Sequence, residues 1–244
     1  MTEHNTAVVL AAGQGSRMQT TTPKQYLNLS GKPVLAWSLQ AFQQFDGIDD
    51  IILVTSGSEI DLCRSICEKY EITKLLNIVE GGAERCLSVW NALQAINAVC
   101  GDKREEDGDR YVFIHDAARP ALSQGMLRRA LDSVRRDKAC VAGMPVKNTI
   151  KIADEEGYSA GTPKRSLVWE VQTPQVFSFP LIYDCFSKMI AEGFTDVTDD
   201  AMVVERESNV KVRLVEGSYR NIKVTTPEDL AIARLFLEGE KDDE

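Results

Sequence analysis

The sequence is short of several things, and each shortage excludes a class of protein. No apolar run in the 244 residues approaches the ~18 needed to span a bilayer, so a membrane is not an expected partner. The first residues, MTEHNT, are polar and acidic where a secretion signal is basic and then apolar. A cytoplasmic location is the expectation. Positive charge is in deficit, with 28 Lys and Arg against 37 Asp and Glu and a formal net charge of -9. A broad nucleic-acid-binding face needs clustered cations, so nucleic acid is not expected either, although a local cationic pocket stays open. The six cysteines (63, 67, 86, 100, 140 and 185) read as reduced, small apolar thiols in a chain without a secretion signal. Cys63 and Cys67 lack the second Cys/His pair of a zinc site. Met18 follows Gly13 and Gly15, so the third glycine of the dinucleotide fingerprint is missing, and no G-x-x-x-x-G-K-[ST] loop occurs. No Ser or Cys sits in a motif that activates a nucleophile.

What is present is concentrated between residues 8 and 26, VVLAAGQGSRMQTTTPKQY. An apolar strand gives way to Ala11, Ala12, Gly13 and Gly15, too small to pack a core and suited to a tight turn. Arg17 and Lys24 follow. Backbone N–H groups of such a loop point outward at an anion, and Arg and Lys add charge-assisted hydrogen bonds. The stretch reads as a phosphate cradle.

Downstream, apolar strands alternate with helical periodicity. Strands are expected at 8–10, 51–55, 78–79, 111–115 and 139–143, and helices at 34–45, 59–70, 84–99 and 123–136. The non-alternating, Ile-rich strand 51–55 suits burial on both faces. This pattern predicts an α/β fold, a mostly parallel Rossmann-like sheet flanked by helices, as one domain over 1–244. The charged stretch 101–109 reads as a solvated loop. Residues 145–167 break the pattern with Gly, Pro and charges, and read as a protruding arm and candidate dimer element. The chain then returns with strand 168–172, helix 180–192, a helix opened by 196–202, strands 211–214 and 222–224, and a last helix started by Thr226, Pro227 and Asp229. The final residues, EGEKDDE, are expected to be disordered.

Ligands of such sheets bind beyond the carboxyl ends of the strands, where the AAGQG loop, the GGAER turn and DAARP all fall. Asp116 and Arg119 there can hold hydroxyls and phosphate, or simply pair and cap the turn. His115 is tempting as a base but reads better as packed or hydrogen-bonded. Arg85 and Ser88 can meet a base or cap a helix. Asp199 and Asp200 suit a first helical turn as well as a metal. Lys223, inside the apolar NIKVT, is costly if buried unpaired and reads as reaching into a pocket. A cationic, carboxylate-bearing pocket without a protein nucleophile fits phosphoryl or nucleotidyl transfer, where catalysis is mostly positioning and charge stabilisation.

VVLAAGQGSRM, PKQYL, GGAER with SV, HDAARP, PVKNTIK, QTPQVF, VTDDA and NIKVTTPEDL, in this order, resemble the 2-C-methyl-D-erythritol 4-phosphate cytidylyltransferases over residues 7 to 237. The resemblance implies a nucleotide-diphospho-sugar transferase-like fold and a homodimer. It implies transfer of the cytidylyl group of CTP to a small alcohol phosphate, 2-C-methyl-D-erythritol 4-phosphate, with release of pyrophosphate, in the non-mevalonate route to isoprenoid precursors. It implies Arg17, Lys24 and Lys223 as catalytic cations, and Ala11, Ala12, Gly13, Gly15, Gly82, Arg85 and Ser88 as the CTP site. Asp116, Arg119, Thr149, Arg165 and Thr198 would contact the alcohol phosphate, Thr149 and Arg165 from the partner subunit. Mg²⁺ would be bound mainly through the CTP phosphates, with no dedicated protein cage. Leu10, Asn148 and Met202 depart from the common Pro, Asp and Ser, and Cys86 and Leu87 from common polar residues. The alternative is the related ribitol-5-phosphate cytidylyltransferase, which shares the fold and most phosphate residues.

Overall fold

The computed structural model describes residues 3–13, 18, 22–100 and 109–239. The chain runs through β1 (His4–Leu10), a hairpin of β2 (Asn28–Leu29) and β3 (Lys32–Pro33), α1 (Val34–Gln43), β4 (Asp50–Thr55), α2 (Ile60–Lys69) and β5 (Leu75–Glu80). It continues with α3 (Arg85–Cys100), β6 (Arg110–Asp116), α4 (Gln124–Asp137) and β7 (Ala139–Pro145). A second hairpin, β8 (Ile152–Ala153) with β9 (Ser159–Gly161), precedes β10 (Trp169–Ser178), α5 (Phe179–Ala191), α6 (Asp200–Glu207), β11 (Arg213–Glu216) and α7 (Pro227–Glu238).

The main sheet has the order β11-β7-β10-β6-β1-β4-β5. β10 is antiparallel to both neighbours, and every other pairing is parallel. Successive side chains of a strand point to opposite faces, and here both faces are covered. Val9, Ile51, Leu53 and Phe113 meet Leu39 and Phe42 of α1, Cys63 of α2 and Leu127 of α4. Val8, Ile52, Val54 and Ile114 meet Leu93 of α3, Phe186 of α5 and Val204 of α6. Burial on both sides is why these strands read as unbroken apolar runs. The expected mostly parallel α/β architecture is the observed one. Cys63, Cys67, Cys86, Cys140 and Cys185 are buried and unbridged.

The structure corrects three expected elements. The returning strand runs to Ser178 rather than stopping at 172, although Pro174 interrupts its ladder, where the register with β7 shifts between Val171 and Gln175. Proline has no N–H to donate, yet the strand continues beyond it. The strand expected at 211–214 lies at Arg213–Glu216. Residues 222–224 form no strand. Their alternation arises because Ile222 and Val224 pack on Leu29, Val34 and Ala233 while Lys223 lies on the side of the cavity described below. The last helix starts as expected, with Asp229 accepting from the Thr226 N–H at 2.8 Å.

Residues 145–167 leave the sheet as an exposed excursion carrying β8 and β9, with Ile152, Tyr158 and Leu167 exposed by 56%, 70% and 76%. Apart from Asp109, the charged stretch 101–109 lies outside the described residues, as does the acidic tail beyond Gly239. No helix among the described residues is long and apolar enough to cross a membrane.

Candidate active site

Three strand ends build one cavity. Past β1, the N–H of Ala11 bonds the carbonyl of Val54 (2.7 Å), and the N–H of Ala117 past β6 bonds that of Leu10 (3.0 Å). Past β5, the Gly81 N–H bonds the Thr55 carbonyl at 2.8 Å. These bonds fix the small-residue turns side by side. A Cβ on Gly81 would stand 2.5 Å from the Ala12 Cβ and 2.9 Å from Ser88 Oγ, whereas one on Gly13 would meet nothing within 4 Å. Gly81 is thus required by the close approach of two loops, while no described residue crowds Gly13. The cavity, about 220 Å³, is lined by Ala11, Ala12, Gly13, Lys24, Gly82, Arg85, Ser88, Asp116 and Lys223 among others.

Asp116 ends β6 and is 8% exposed. Its Oδ2 lies 2.7 Å from Lys223 Nζ, and its Oδ1 accepts from Arg85 Nε at 3.4 Å. Burial alone would raise its pKa, but Arg85 and Lys223 outweigh it and hold the carboxyl well below the usual range. Arg85 also donates from Nη1 and Nη2 to both oxygens of Asp200, at 2.9 and 2.8 Å. Burial pushes the Asp200 carboxyl up, with Arg85 opposing. The arrangement is thus two cations and two carboxylates in alternation, Lys223–Asp116–Arg85–Asp200, with Lys223 at the cavity end.

Behind it, His115 is fully buried. Its Nε2 donates to the Arg119 carbonyl (3.1 Å), leaving Nδ1 to accept from the Thr173 hydroxyl (3.0 Å). Thr173 Oγ1 in turn accepts from the Asp116 N–H (3.1 Å). Burial lowers the His115 pKa to about 4. This is the packed, hydrogen-bonded histidine the sequence suggested, not a base open to substrate.

The expected site residues divide. Lys24, Lys223, Ala11, Ala12, Gly13, Gly82, Arg85, Ser88 and Asp116 line the one cavity. Gly15 and Arg17 lie outside the described residues. Ser88 Oγ accepts from the Gly82 N–H (3.0 Å) and donates to the Glu84 carbonyl (3.1 Å), so it shapes the turn. Arg119 is half-buried beside the cavity. Its Nη1 donates to the Asn221 carbonyl (2.8 Å), and its Nε is buried with no hydrogen-bond partner among the described residues. Thr149, Arg165 and Thr198 are exposed and do not line the cavity. Arg165 Nη1 bonds the Lys147 carbonyl at 3.3 Å, and Thr198 Oγ1 contacts Met202 Sδ at 3.7 Å.

Sequence reasoning gives no such place to four further residues of the site. It marks Asp200 only as a first-turn carboxylate or metal ligand. Gln25 donates from Nε2 to the Ala11 carbonyl at 2.6 Å, tying the Lys24 segment to the first loop. Asn221 donates from Nδ2 to the Thr173 carbonyl at 2.8 Å and steadies the segment that carries Lys223. Gln175 accepts from the Asp200 N–H at 3.0 Å. The available signal is position: each lies in or beside one of the motifs.

No group of three or more His, Cys, Asp or Glu side chains among the described residues is arranged to hold a metal. The cavity carboxylates, Asp116 and Glu84, are hard oxygen donors of the kind that share Mg²⁺ with substrate phosphates.

A mostly parallel sheet whose strand ends gather a small-residue turn, two lysines and two carboxylates defines a nucleotidyltransferase-type fold and site. The family model of 2-C-methyl-D-erythritol 4-phosphate cytidylyltransferase (IspD) matches residues 5–239, and the chain belongs to that family. A relative of that name from Lachnospira eligens is 48% identical over 236 residues, covering 96% of this chain and 100% of the relative. One from Caldanaerobacter subterraneus is 44% identical, covering 95% of this chain and 97% of the relative. The crystal structure of 4-diphosphocytidyl-2C-methyl-D-erythritol synthase from Anaerococcus prevotii superposes with a TM-score of 0.82 at 33% identity, covering 97% of each chain.

Proposed function

We propose that this enzyme transfers the cytidylyl group of CTP to 2-C-methyl-D-erythritol 4-phosphate, giving 4-diphosphocytidyl-2-C-methyl-D-erythritol and pyrophosphate for isoprenoid precursor synthesis. The observation that carries the reading is the meeting of Lys24, Lys223, the Ala11–Gly13 turn and the Gly82 turn around one cavity, in a chain matched to the family over nearly its whole length.

The substrate's phosphate oxygen attacks the α-phosphorus of CTP, and pyrophosphate leaves. No side chain in the cavity is needed as a nucleophile. The loop from Ala11 to Gly15 receives the triphosphate on its N–H groups. Arg17 and Lys24 neutralise the phosphates, and Lys223 meets charge building at the α-phosphorus. Its partner Asp116 sets its direction before substrate arrives and, with Arg119, contacts the erythritol portion. Gly82, Arg85 and Ser88 shape the cytosine side. Mg²⁺ would be held mainly by the CTP phosphates, with Asp116 able to add a carboxylate oxygen, and would supply further charge neutralisation.

Thr149 and Arg165 belong to the arm, and we assign them to the substrate phosphate of the partner subunit's site in a cytoplasmic homodimer. Two features support this: both side chains are exposed on an excursion from the sheet, and that excursion bares Ile152, Tyr158 and Leu167. The rest of the chain forms a single cytidylyltransferase domain, with Thr198 a further substrate contact.

The test supplies CTP and Mg²⁺ with 2-C-methyl-D-erythritol 4-phosphate or with ribitol 5-phosphate, and measures pyrophosphate. Release with the erythritol phosphate is expected. Release with ribitol 5-phosphate alone overturns the substrate assignment.

A further inference from the structure

Gln175 has no role in the proposed reaction, yet its side chain makes three hydrogen bonds to the helix start that carries Asp200. It lies on β10 and is 1% exposed. Its Oε1 accepts from the backbone N–H groups of both Asp200 and Ala201, each at 3.0 Å. Its Nε2 donates to Oδ2 of Asp199 at 2.9 Å. Asp199 is itself the N-cap of α6, its Oδ1 accepting from the Met202 N–H at 2.9 Å. One carboxamide from the sheet therefore grips three polar groups of a helix start. The first N–H groups of a helix have no partner within it, and buried ones need an acceptor from elsewhere.

The helix start so gripped carries Asp200, the residue that binds both Nη atoms of Arg85. Arg85 touches Asp116, and Asp116 pairs with Lys223. A chain of direct contacts thus runs from a buried sheet glutamine to the cation nearest the proposed reaction centre.

We propose that Gln175 is a positioning residue of this site: by seating Asp200 it sets how Arg85 addresses Asp116, and so where Lys223 stands. The side chain must offer an acceptor to two N–H groups and a donor to a carboxylate at one reach. Glutamine does so without charge. Glutamate would accept from both N–H groups but set its second oxygen against Asp199. Among the described residues, the charged group in contact with the Gln175 side chain is Asp199, while the Asp200 carboxylate turns to Arg85.

The inference rests on the cytidylyl-transfer reading for its kinetic readout, and its test reverses the polarity of one bond. Gln175→Glu places two carboxylates at the 2.9 Å contact. Gln175→Glu with Asp199→Asn restores a donor and an acceptor there, with the roles exchanged, and the carboxamide oxygen introduced at position 199 can still cap the Met202 N–H. We expect the single variant to lose about 10- to 100-fold in kcat at pH 8, the cost of a misplaced group, with a smaller change in KM for CTP. The loss should shrink at pH 6, because a carboxyl buried at position 175 against Asp199 holds its proton to higher pH than a free one and then donates to Asp199 again. The double variant should regain most of the rate at both pH values. A single variant with wild-type kcat overturns the proposal. So does a double variant whose melting temperature recovers while kcat does not, because Gln175 would then serve folding alone. If the single variant fails to fold at pH 8, the double variant and the pH 6 measurement decide. If the wild type itself releases no pyrophosphate, the reaction reading fails instead. Gln175 is then judged by crystal structures of the three proteins: Arg85 displaced from Asp116 in the single variant and restored in the double supports the proposal, and an unmoved Arg85 overturns it.

Discussion

Lys223 Nζ stands 2.7 Å from Oδ2 of Asp116, at the end of a segment without regular secondary structure. Among the bonds that hold the segment are Val224 N–H to the Ala118 carbonyl at 2.8 Å, Asn221 Nδ2 to the Thr173 carbonyl, and Arg119 Nη1 to the Asn221 carbonyl. The lysine is therefore aimed before substrate binds. Replacing it with Ala leaves Asp116 paired to Arg85, so folding should survive. Pyrophosphate formation in a single turnover should fall by about 100-fold or more, the scale of a lost transition-state donor. A loss below about tenfold would remove Lys223 from the chemical step.

The Gln25–Ala11 bond makes a separate prediction. Gln25→Leu fills similar space but leaves the Ala11 carbonyl without the Gln25 donor. Stability should fall by about 1–3 kcal/mol, read by denaturant melts. The KM for CTP should rise more than kcat falls, because the loop that meets the phosphates is loosened while Lys223 is untouched.

His115 predicts a pH dependence. Its folded pKa, lowered by burial to about 4 from 6.5, lies below its unfolded value, so the unfolded chain binds the extra proton first. Its contribution is complete above about pH 6.5 and is lost as pH falls toward 4. The shift corresponds to roughly 3 kcal/mol at most. His115→Gln removes the titration, so the stability difference between the two proteins should narrow from about pH 7 to about pH 4.5. A constant difference would contradict the buried neutral imidazole.

The arm yields a fourth prediction. Arg165 is exposed, and its Nη1 contact is to the Lys147 carbonyl. Arg165→Ala should weaken use of the alcohol phosphate far more than CTP binding, read as separate KM and Kd values. Equal loss of both would end the proposed role of the arm.

The legible parts of the fold are those where burial writes a pattern. Ile51 to Val54 are buried on both faces, so the strand reads as a strand. The capping residues at 226–229 announce their helix. Lys223 draws attention because a cation in an apolar run is costly, and it does line the cavity, but the same run suggests a strand that does not form. Alternation there records two different neighbours, not pairing. The antiparallel course of β10 is hidden because strand direction depends on register with β6 and β7, which lie far apart in the chain. The partners of Asp200, Gln25 and Gln175 escape sequence reasoning because a hydrogen bond between distant residues leaves no periodicity. Gln175 stands inside a recognised motif, yet its three bonds to the start of α6 exist only once β10 and α6 are packed together.

The most direct test of the account is a crystal structure with a non-hydrolysable CTP analogue. Lys24 and Lys223 should both contact its phosphates, with the base on the side of Gly82 and Ser88 and the phosphates over the turn beginning at Ala11. A nucleotide bound elsewhere, or one whose phosphates touch neither lysine, would contradict it.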